Sequence, residues 1–249
     1  MNLARWSGTF FFGLFPYVLL PCPCPWDPPC ALDVLFREQG RVGPQGIPKP
    51  WVLSTDRKGA DLLVTLTLFG FASDWSAAAT HALVATLSHR VDWGGVRPDL
   101  YLPRGVVDHV VVNGSEGVAV GPDSGSVSLR FLTPMNGEGD NPLERPDTIL
   151  ARLVRRVRGL ALWHDADVGE DWERVGLALR DASYDTGFLN AGRAARRSGR
   201  ASQRFAVDTV SGTVGITALD PALKPLAALG AVTHVGKGAA EGFGRYCLE

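Results

Sequence analysis

Apolar residues recur at helical spacing in the second half of the chain. In Thr148–Trp163 they share one side of a helix, while arginines share another. This pattern predicts an amphipathic helix, and Trp172–Ala182 predicts a second one. The apolar positions of the first helix are Ile149, Leu153, Val157 and Leu160, and its arginines are Arg152, Arg155 and Arg156. Further helices are predicted at Ala31–Arg37, from Ser73 or Asp74 to Ser88, and at Pro221–Leu229.

Short runs rich in β-branched residues predict strands between these helices. The run Ala60–Phe69 ends at Gly70, and Gln203–Thr217 is typical of a hairpin. Strand–helix–strand segments with hairpins favour an α+β fold and are compatible with two β-α-β-β-α-β units. Other strands are predicted at Gly105–Val112, Gly117–Val120, Ser126–Leu132 and Gly244–Leu248, with a tight turn at Asn113-Gly114.

Composition adds the size of the core and a bias among the basic residues. The chain has 249 residues, of which 45% are apolar and 20% charged, so it can bury a core and wholesale disorder is excluded. The net charge of −1 gives no overall attraction to a polyanion. Only four of the 25 basic residues are lysine. Arginine binds phosphate in bidentate fashion, so this bias suggests phosphate recognition, although a GC-rich genome would also favour arginine.

Cysteine content and hydropathy bear on the cellular compartment. Four cysteines are too few to staple a chain of this length, which favours a reduced interior. The apolar stretch Thr9–Leu20 is too short to span a bilayer and is interrupted by Pro16, and no cleavage site follows it. We therefore predict a cytoplasmic protein without a membrane partner.

The segment His234–Tyr246, HVGKGAAEGFGRY, is the most specific feature of the chain. Its glycines let the backbone approach a ligand and expose N–H groups, while Lys237 and Arg245 add positive charge. It is not a Walker loop, because no Ser or Thr follows Lys237. The alternative is a flexible hairpin without a ligand.

A second basic feature lies upstream, where five arginines fall within residues 193–204 without an acidic residue. In a helix, four of them would follow i, i+3, i+4, i+7 spacing and face the phosphate walls of a nucleic-acid groove. The alternative is a solvated linker or a contact with an acidic protein. The five arginines are Arg193, Arg196, Arg197, Arg200 and Arg204.

Histidines and cysteines lack the spacing of metal ligands, so we predict no metal and no cofactor. The histidines also show no pairing with a nucleophile motif, and each is better explained as a structural residue.

Several segments of the chain resemble those of a known protein family. The segment HVGKGAAEGFGRYCL resembles the glycine-rich signature of the CRISPR-associated RAMP-superfamily endoribonucleases that process precursor CRISPR RNA. Ser202-Gln203-Arg204 followed by Ser211–Gly215 is similar to a second stretch of that family. Supporting matches in order and spacing are Cys24–Phe36, Pro48–Leu53, Leu66–Ala72, Leu129–Pro134 and Leu150–Leu160.

The resemblance implies a fold, a substrate and a reaction. It implies two tandem ferredoxin-like domains, residues 1–115 and 116–249, with an arginine-rich helical insertion at about 165–200 in the second. The substrate would be the repeat hairpin of precursor CRISPR RNA. Metal-independent attack by a ribose 2′-OH would leave a 2′,3′-cyclic phosphate and a 5′-OH. The processed RNA would then be retained for assembly with other CRISPR effector subunits.

The chain departs from the family pattern in its histidines. Many members have a histidine near the first helix, whereas the first histidine here is His81. We therefore predict that Arg37, Arg41 and Arg245 orient the ribose and stabilise the phosphorane. The missing histidine and the arginine run favour the type IV version of the family. The predicted RNA-binding residues are Arg193, Arg196, Arg197, Arg200, Arg204, His234, Gly236, Lys237, Gly238, Gly242 and Gly244.

Two alternatives stay open. An inactive relative would bind the RNA hairpin without cutting it, and the absent histidine favours this interpretation. A nucleotide-dependent enzyme would instead use the glycine-rich segment for ATP or a dinucleotide.

Overall fold

The computed structural model describes residues 47–59, 61–88, 110–114, 125–163, 171–197 and 204–249, together with residues 31, 35, 107 and 118. Strands and helices are both well represented, which confirms the α+β fold class. The strands are β1 Trp51–Lys58, β2 Asp61–Leu68, β3 Ser126–Phe131, β4 Met135–Asn136, β5 Ser183–Arg197, β6 Arg204–Thr217 and β7 Tyr246–Leu248. The helices are α1 Ser76–Ser88, α2 Asp147–Trp163, α3 Trp172–Asp181 and α4 Leu223–Thr233, with 3₁₀ turns at Gly70–Trp75 and Ala239–Glu241.

Strands β1 and β2 form an antiparallel hairpin around Gly59, whose φ of 63° suits a residue without Cβ. Trp51, Leu53 and Thr55 alternate along β1 and are buried. Trp51 and Leu53 share an apolar cluster with α1, and Trp51 Nε1 donates a hydrogen bond to the Leu35 carbonyl at 2.8 Å. This hairpin therefore has a core of its own.

The larger sheet has the order β4-β6-β3-β7, and β5 pairs with β6. All of the pairings are antiparallel. Helices α2 and α4 contribute buried apolar residues to the cluster that covers this sheet, and α3 adds Val175 and Ala178. The predicted apolar side of α2 is confirmed, since Ile149, Leu153, Val157 and Leu160 are all buried.

Several predicted elements are confirmed with small changes of boundary. These are β2, β3, β7 and helices α1 to α4. The helix predicted at Ala31–Arg37 is described only at Ala31 and Leu35, both in helical backbone. The described residues of the strand predicted at Gly105–Val112 and of the turn at Asn113-Gly114 have no regular structure, so those two predictions are wrong there. Strand β1, which follows a proline-rich stretch, was not predicted.

The hairpin predicted within Gln203–Thr217 is wrong, because Arg204–Thr217 is one continuous strand. Gly212, within this strand, permits close contact with the neighbouring strand β5. Its φ is 110°, and a Cβ there would lie 2.0 Å from the Phe188 carbonyl oxygen. Glycine therefore serves strand packing at this position.

The helical conformation predicted for the insertion at about 165–200 is found at Trp172–Asp181 but is wrong for the described part that carries arginines 193, 196 and 197. Residues Ser183–Arg197 form strand β5, which pairs with β6 down to Arg197 opposite Arg204. β6 is rich in β-branched residues and presents a long edge, and pairing with that edge overrides the local helical spacing of the arginines. We call these two strands the arginine ribbon. By strand alternation, positions 193 and 197 fall on one face and position 196 on the other.

The apolar contacts separate into two clusters, one around the β1–β2 hairpin and one around the larger sheet. The division at residue 115 and the tandem ferredoxin-like arrangement stay predictions. The apolar stretch Thr9–Leu20 lies outside the described residues. No helix in the described part of the chain is both long and apolar enough to cross a membrane.

Candidate functional site

The glycine-rich segment His234–Arg245 connects α4 to β7 and turns sharply at its glycines. Gly236, Gly238, Gly242 and Gly244 all have positive φ angles, between 64° and 92°. The requirement is strictest at Gly244, where a Cβ would lie 2.0 Å from the Val235 carbonyl oxygen. The positive φ angles therefore favour glycine along the segment, and at Gly244 any side chain is excluded.

Thr133, in the loop after β3, holds the segment against the larger sheet. Its hydroxyl donates to the Gly242 carbonyl at 2.7 Å and accepts from the Arg245 amide at 2.9 Å. Two further bonds link Val235 N–H to the Gly244 carbonyl at 3.0 Å and Gly244 N–H to the Pro134 carbonyl at 2.9 Å. The segment is therefore tied down at both ends, although its glycines suggested flexibility.

The side chain of His234, the first residue of the segment, is buried by the residues that follow it, with 3% of its surface exposed. Its Nδ1 is 3.2 Å from the Ala239 carbonyl oxygen, a contact in which the ring nitrogen acts as donor. Burial lowers the pKa of His234 to about 3, and the nearby charges of Arg156 and Arg245 act in the same direction. The imidazole is therefore neutral near pH 7 and supports the 3₁₀ turn from below.

The outer edge of the segment carries donors that are not used internally. Within the described ranges, no acceptor pairs with the amide N–H groups of Gly236, Lys237 and Gly238. The Lys237 ammonium contacts the Glu138 carboxylate in an exposed ion pair. Surface pairs of this kind contribute little and exchange readily. Consecutive free amides beside a cation suit an anion such as phosphate.

Arg245 lies at the end of the segment and faces β1. Its Nη1 is 2.8 Å from both carboxylate oxygens of Asp56, 189 residues away in sequence. The side chain of Arg245 is 25% exposed and that of Asp56 is 44% exposed. The predicted catalytic arginine is thus at a junction between the two parts of the molecule, partly open to solvent.

Two arginines of α2 support the segment from the other side. Arg152 donates to the carbonyls of Asn136, Glu138 and Asp140, which fixes the loop that carries Glu138. Arg156 is buried, donates to the Thr233 carbonyl at the end of α4, and has no partner for Nη2 among the described residues. Burial lowers the pKa of Arg156 to about 10, so the guanidinium stays charged at neutral pH.

Arg193 on β5 is the member of the arginine ribbon whose side chain is described in full. Its Nε is 3.1 Å from Asp208 Oδ1, and the two side chains are 78% and 72% exposed. Such a pair holds the guanidinium weakly, so a phosphate can replace Asp208. Arg196, Arg197 and Arg204 lie in the paired strands, and their side chains are outside the described part.

The structure brings together only part of the predicted site. Arg245, Lys237 and the glycines lie in one segment, whereas Arg37, Arg41 and Arg200 lie outside the described residues. Sequence reasoning missed Asp56 and Thr133. Thr133 follows a predicted strand, but nothing local indicated a partner more than one hundred residues away.

The comparisons with known proteins bear on the same region. Residues 129–246 match the family model described as CRISPR-associated endoribonuclease Cas6. Over these residues, a little under half of the chain, the sequence is similar to the Cas6 family. The match spans most of the larger sheet, its helices and the glycine-rich segment up to Tyr246, and it supports an endoribonuclease of CRISPR RNA processing. No curated protein matches the chain.

Solved Cas6 structures have a fold similar to that of this chain. A Cas6 product complex matches with a TM-score of 0.56 and 17% identity, covering 100% of this chain and 96% of that one. Thermus thermophilus Cas6 matches with a TM-score of 0.52 and 18% identity, covering 100% and 92%. At this identity the likeness concerns the fold, and the type IV assignment stays a prediction.

Proposed function

We propose that the chain binds the repeat hairpin of precursor CRISPR RNA and cleaves it without a metal ion. In this proposal a ribose 2′-OH attacks the scissile phosphate and leaves a 2′,3′-cyclic phosphate and a 5′-OH. The protein then keeps the processed RNA for assembly with other CRISPR effector subunits. The observation that carries the proposal is the glycine-rich segment, whose free amides at Gly236–Gly238 lie in the same segment as the partly exposed Arg245.

Phosphate binding by the segment follows from its donors. The amides of Gly236, Lys237 and Gly238 supply neutral donors, and Lys237 and Arg245 supply charge. Because the glycine conformations and the Thr133 bonds fix the backbone, these donors are oriented before RNA arrives. Preorganised donors of this kind stabilise the charge that develops on a phosphorane.

The same reasoning limits the role of His234. A buried imidazole that contacts Ala239 cannot reach a ribose hydroxyl, and its low pKa keeps it uncharged. His234 therefore shapes the segment, and we assign neither RNA contact nor base catalysis to it. Arginine is a poor general base, since its pKa is above about 12. Catalysis by Arg37, Arg41 and Arg245 would rest on orientation and charge stabilisation.

The arginine ribbon is the proposed contact with the hairpin stem. The deep major groove of A-form RNA hides the base edges, so cations there meet phosphates. The exposure of Arg193 supports such a contact. Because the ribbon is a pair of strands, its side chains alternate between two faces. Positions 193, 197 and 204 lie on one face, so that face would carry more arginines toward RNA than the other.

The test is cleavage of end-labelled repeat RNA in excess EDTA under single-turnover conditions. We expect a 2′,3′-cyclic phosphate product, and we expect Arg41→Ala or Arg245→Ala to slow its formation by about 10²-fold or more, as for loss of an electrostatic stabiliser. Arg174→Ala is the control, because Arg174 pairs with Asp220 on α3's side of the molecule. Unaltered product from Arg41→Ala and Arg245→Ala would refute the assignment.

The second candidate is a hairpin-binding subunit without activity. The burial of His234 favours it, because the histidine of the glycine-rich segment is removed from the reaction. The same assay separates the two functions. Tight binding of the hairpin without product supports the binding subunit, and a cyclic-phosphate end supports the endoribonuclease.

A further inference from the structure

Asp56 contacts Arg245 through only one of the three guanidinium nitrogens. A single nitrogen, Nη1, lies 2.8 Å from both oxygens of the carboxylate. In the part of the chain that the structure describes, no acceptor pairs with Nε or Nη2 of Arg245. The edge of the guanidinium formed by Nε and Nη2 is therefore available. That edge presents two parallel N–H groups, which is the arrangement that binds two phosphate oxygens at once.

Both ends of this contact are anchored by backbone. The Arg245 amide donates to Thr133 Oγ1, and its carbonyl accepts from the amides of Leu132 at 2.8 Å and Thr133 at 3.2 Å. Asp56 lies in β1, directly opposite Leu63 in the hairpin. Arginine side chains have many rotamers, and Asp56 selects one of them from a fixed position.

The glycine-rich segment also packs against the strand that carries Asp56. Ala240, in the 3₁₀ turn, is buried in the same apolar cluster as Trp51 and Leu53 of β1. This packing sets the separation between β1 and the segment, so the distance from Asp56 to Arg245 does not depend on the ion pair alone. Asp56 then determines where the guanidinium points, while the apolar contact determines where the segment lies.

The electrostatics of Asp56 are opposed to RNA binding. A carboxylate next to a proposed phosphate site repels the phosphate backbone and weakens association. Asp56 therefore cannot serve to increase RNA affinity. Its value lies in the orientation that it gives to Arg245.

We propose that Asp56 is a positioning residue that holds Arg245 with its Nε–Nη2 edge toward the scissile phosphate. The inference rests on the proposed function, because it assigns Asp56 a role in the same reaction. It predicts opposite effects on two measurable quantities. Loss of the charge should slow the chemical step, since Arg245 is released, but should leave RNA affinity unchanged or higher, since a repulsive charge is removed.

The experiment measures the single-turnover rate constant and the RNA dissociation constant separately for Asp56→Asn, using the full chain and labelled repeat RNA. We expect the rate constant to fall by about 10- to 100-fold, as for a small misplacement of a catalytic group. The dissociation constant should be unchanged or a few-fold lower. Asp56→Glu, which keeps the charge, should recover part of the rate. Asp220→Asn is the matched control, since it removes the carboxylate that pairs with Arg174, and it should change neither quantity.

A double-variant cycle shows whether Asp56 acts through Arg245. If it does, Asp56→Asn combined with Arg245→Ala should cleave no more slowly than Arg245→Ala alone. The inference is overturned if Asp56→Asn cleaves at the wild-type rate. It is also overturned if the rate reduction in the double variant equals the product of the two single reductions. It is also overturned if Asp56→Asn lowers thermal stability and affinity together, which would mean that the pair only joins two parts of the molecule. Binding without cleavage by the wild-type protein would instead refute the proposed function, and this inference with it.

Discussion

Replacing Gly244 with alanine tests whether the backbone of the glycine-rich segment is as tightly fixed as its contacts indicate. Gly244 has a φ of 64°, and an added Cβ would lie 2.0 Å from the Val235 carbonyl oxygen. Gly59, in the β1–β2 turn, has nearly the same φ of 63° but nothing within 4 Å of such a Cβ. The two positions therefore share the conformational penalty and differ in the steric one.

The expected difference follows from the contacts at each site. The positive φ costs an alanine about 1–2 kcal/mol at either position. At Gly244 the carbonyl must also move by more than an ångström, and the bond from Val235 N–H to the Gly244 carbonyl and the bond from Gly244 N–H to the Pro134 carbonyl are disturbed. Leaving such buried groups without partners costs about 1–3 kcal/mol each. We therefore expect Gly244→Ala to lose about 3–8 kcal/mol and Gly59→Ala about 1–2 kcal/mol.

Urea unfolding followed by circular dichroism measures both variants against the wild-type chain. Gly236→Ala is a control within the same segment, because its φ is 85° but its nearest neighbour to a Cβ is 3.5 Å away. It should resemble Gly59→Ala. Equal losses for Gly244→Ala and Gly236→Ala would mean that the segment yields to the added methyl group, and the argument for preoriented amides would fail.

Two further predictions concern charge. The pKa of His234 is about 3 in the folded protein and about 6.5 when exposed, so its contribution to stability is complete above pH 6.5 and is lost as the pH falls from 6.5 toward 3. His234→Asn keeps a residue that tolerates positive φ but cannot titrate, and its unfolding free energy should change less steeply with pH in that window, by up to about 1.4 kcal/mol per pH unit; an unchanged slope would show that His234 is accessible to protons. Alanine substitution of four arginines in the basic run 193–204 should flatten the salt dependence of RNA binding by about one counterion per lost phosphate contact, while an equal slope would place this run away from RNA. The four arginines are Arg193, Arg196, Arg197 and Arg200.

The elements with a complete local signal could be predicted from the sequence. Helix α2 has its apolar residues at helical spacing, and the same four residues are buried in the structure. The alternation of Trp51, Leu53 and Thr55 was a usable signal for β1, but the preceding prolines drew attention to a loop. The conformation of Ser183–Arg197 could not be predicted from its own sequence. The spacing of its arginines favours a helix, whereas pairing with β6 requires a strand.

Part of the candidate site could likewise be predicted from the sequence and part could not. The glycine-rich segment is contiguous, so its residues could be named from the sequence, and its positive φ angles explain the glycines. Asp56 could not be found, because its significance comes from a partner 189 residues away. The burial of His234 could not be predicted either, because it depends on how residues 235–244 fold over the imidazole.

The long sequence separations at Thr133 have a consequence for the order of folding. Thr133 bonds to Gly242 and Arg245 at separations of 109 and 112 residues, whereas the arginine ribbon pairs residues that are near neighbours at its tip. Loop-closure entropy delays distant pairings, so the ribbon can form well before the glycine-rich segment is shaped. A nascent or partly refolded chain would thus form the proposed RNA-binding strands before the proposed catalytic segment is in place.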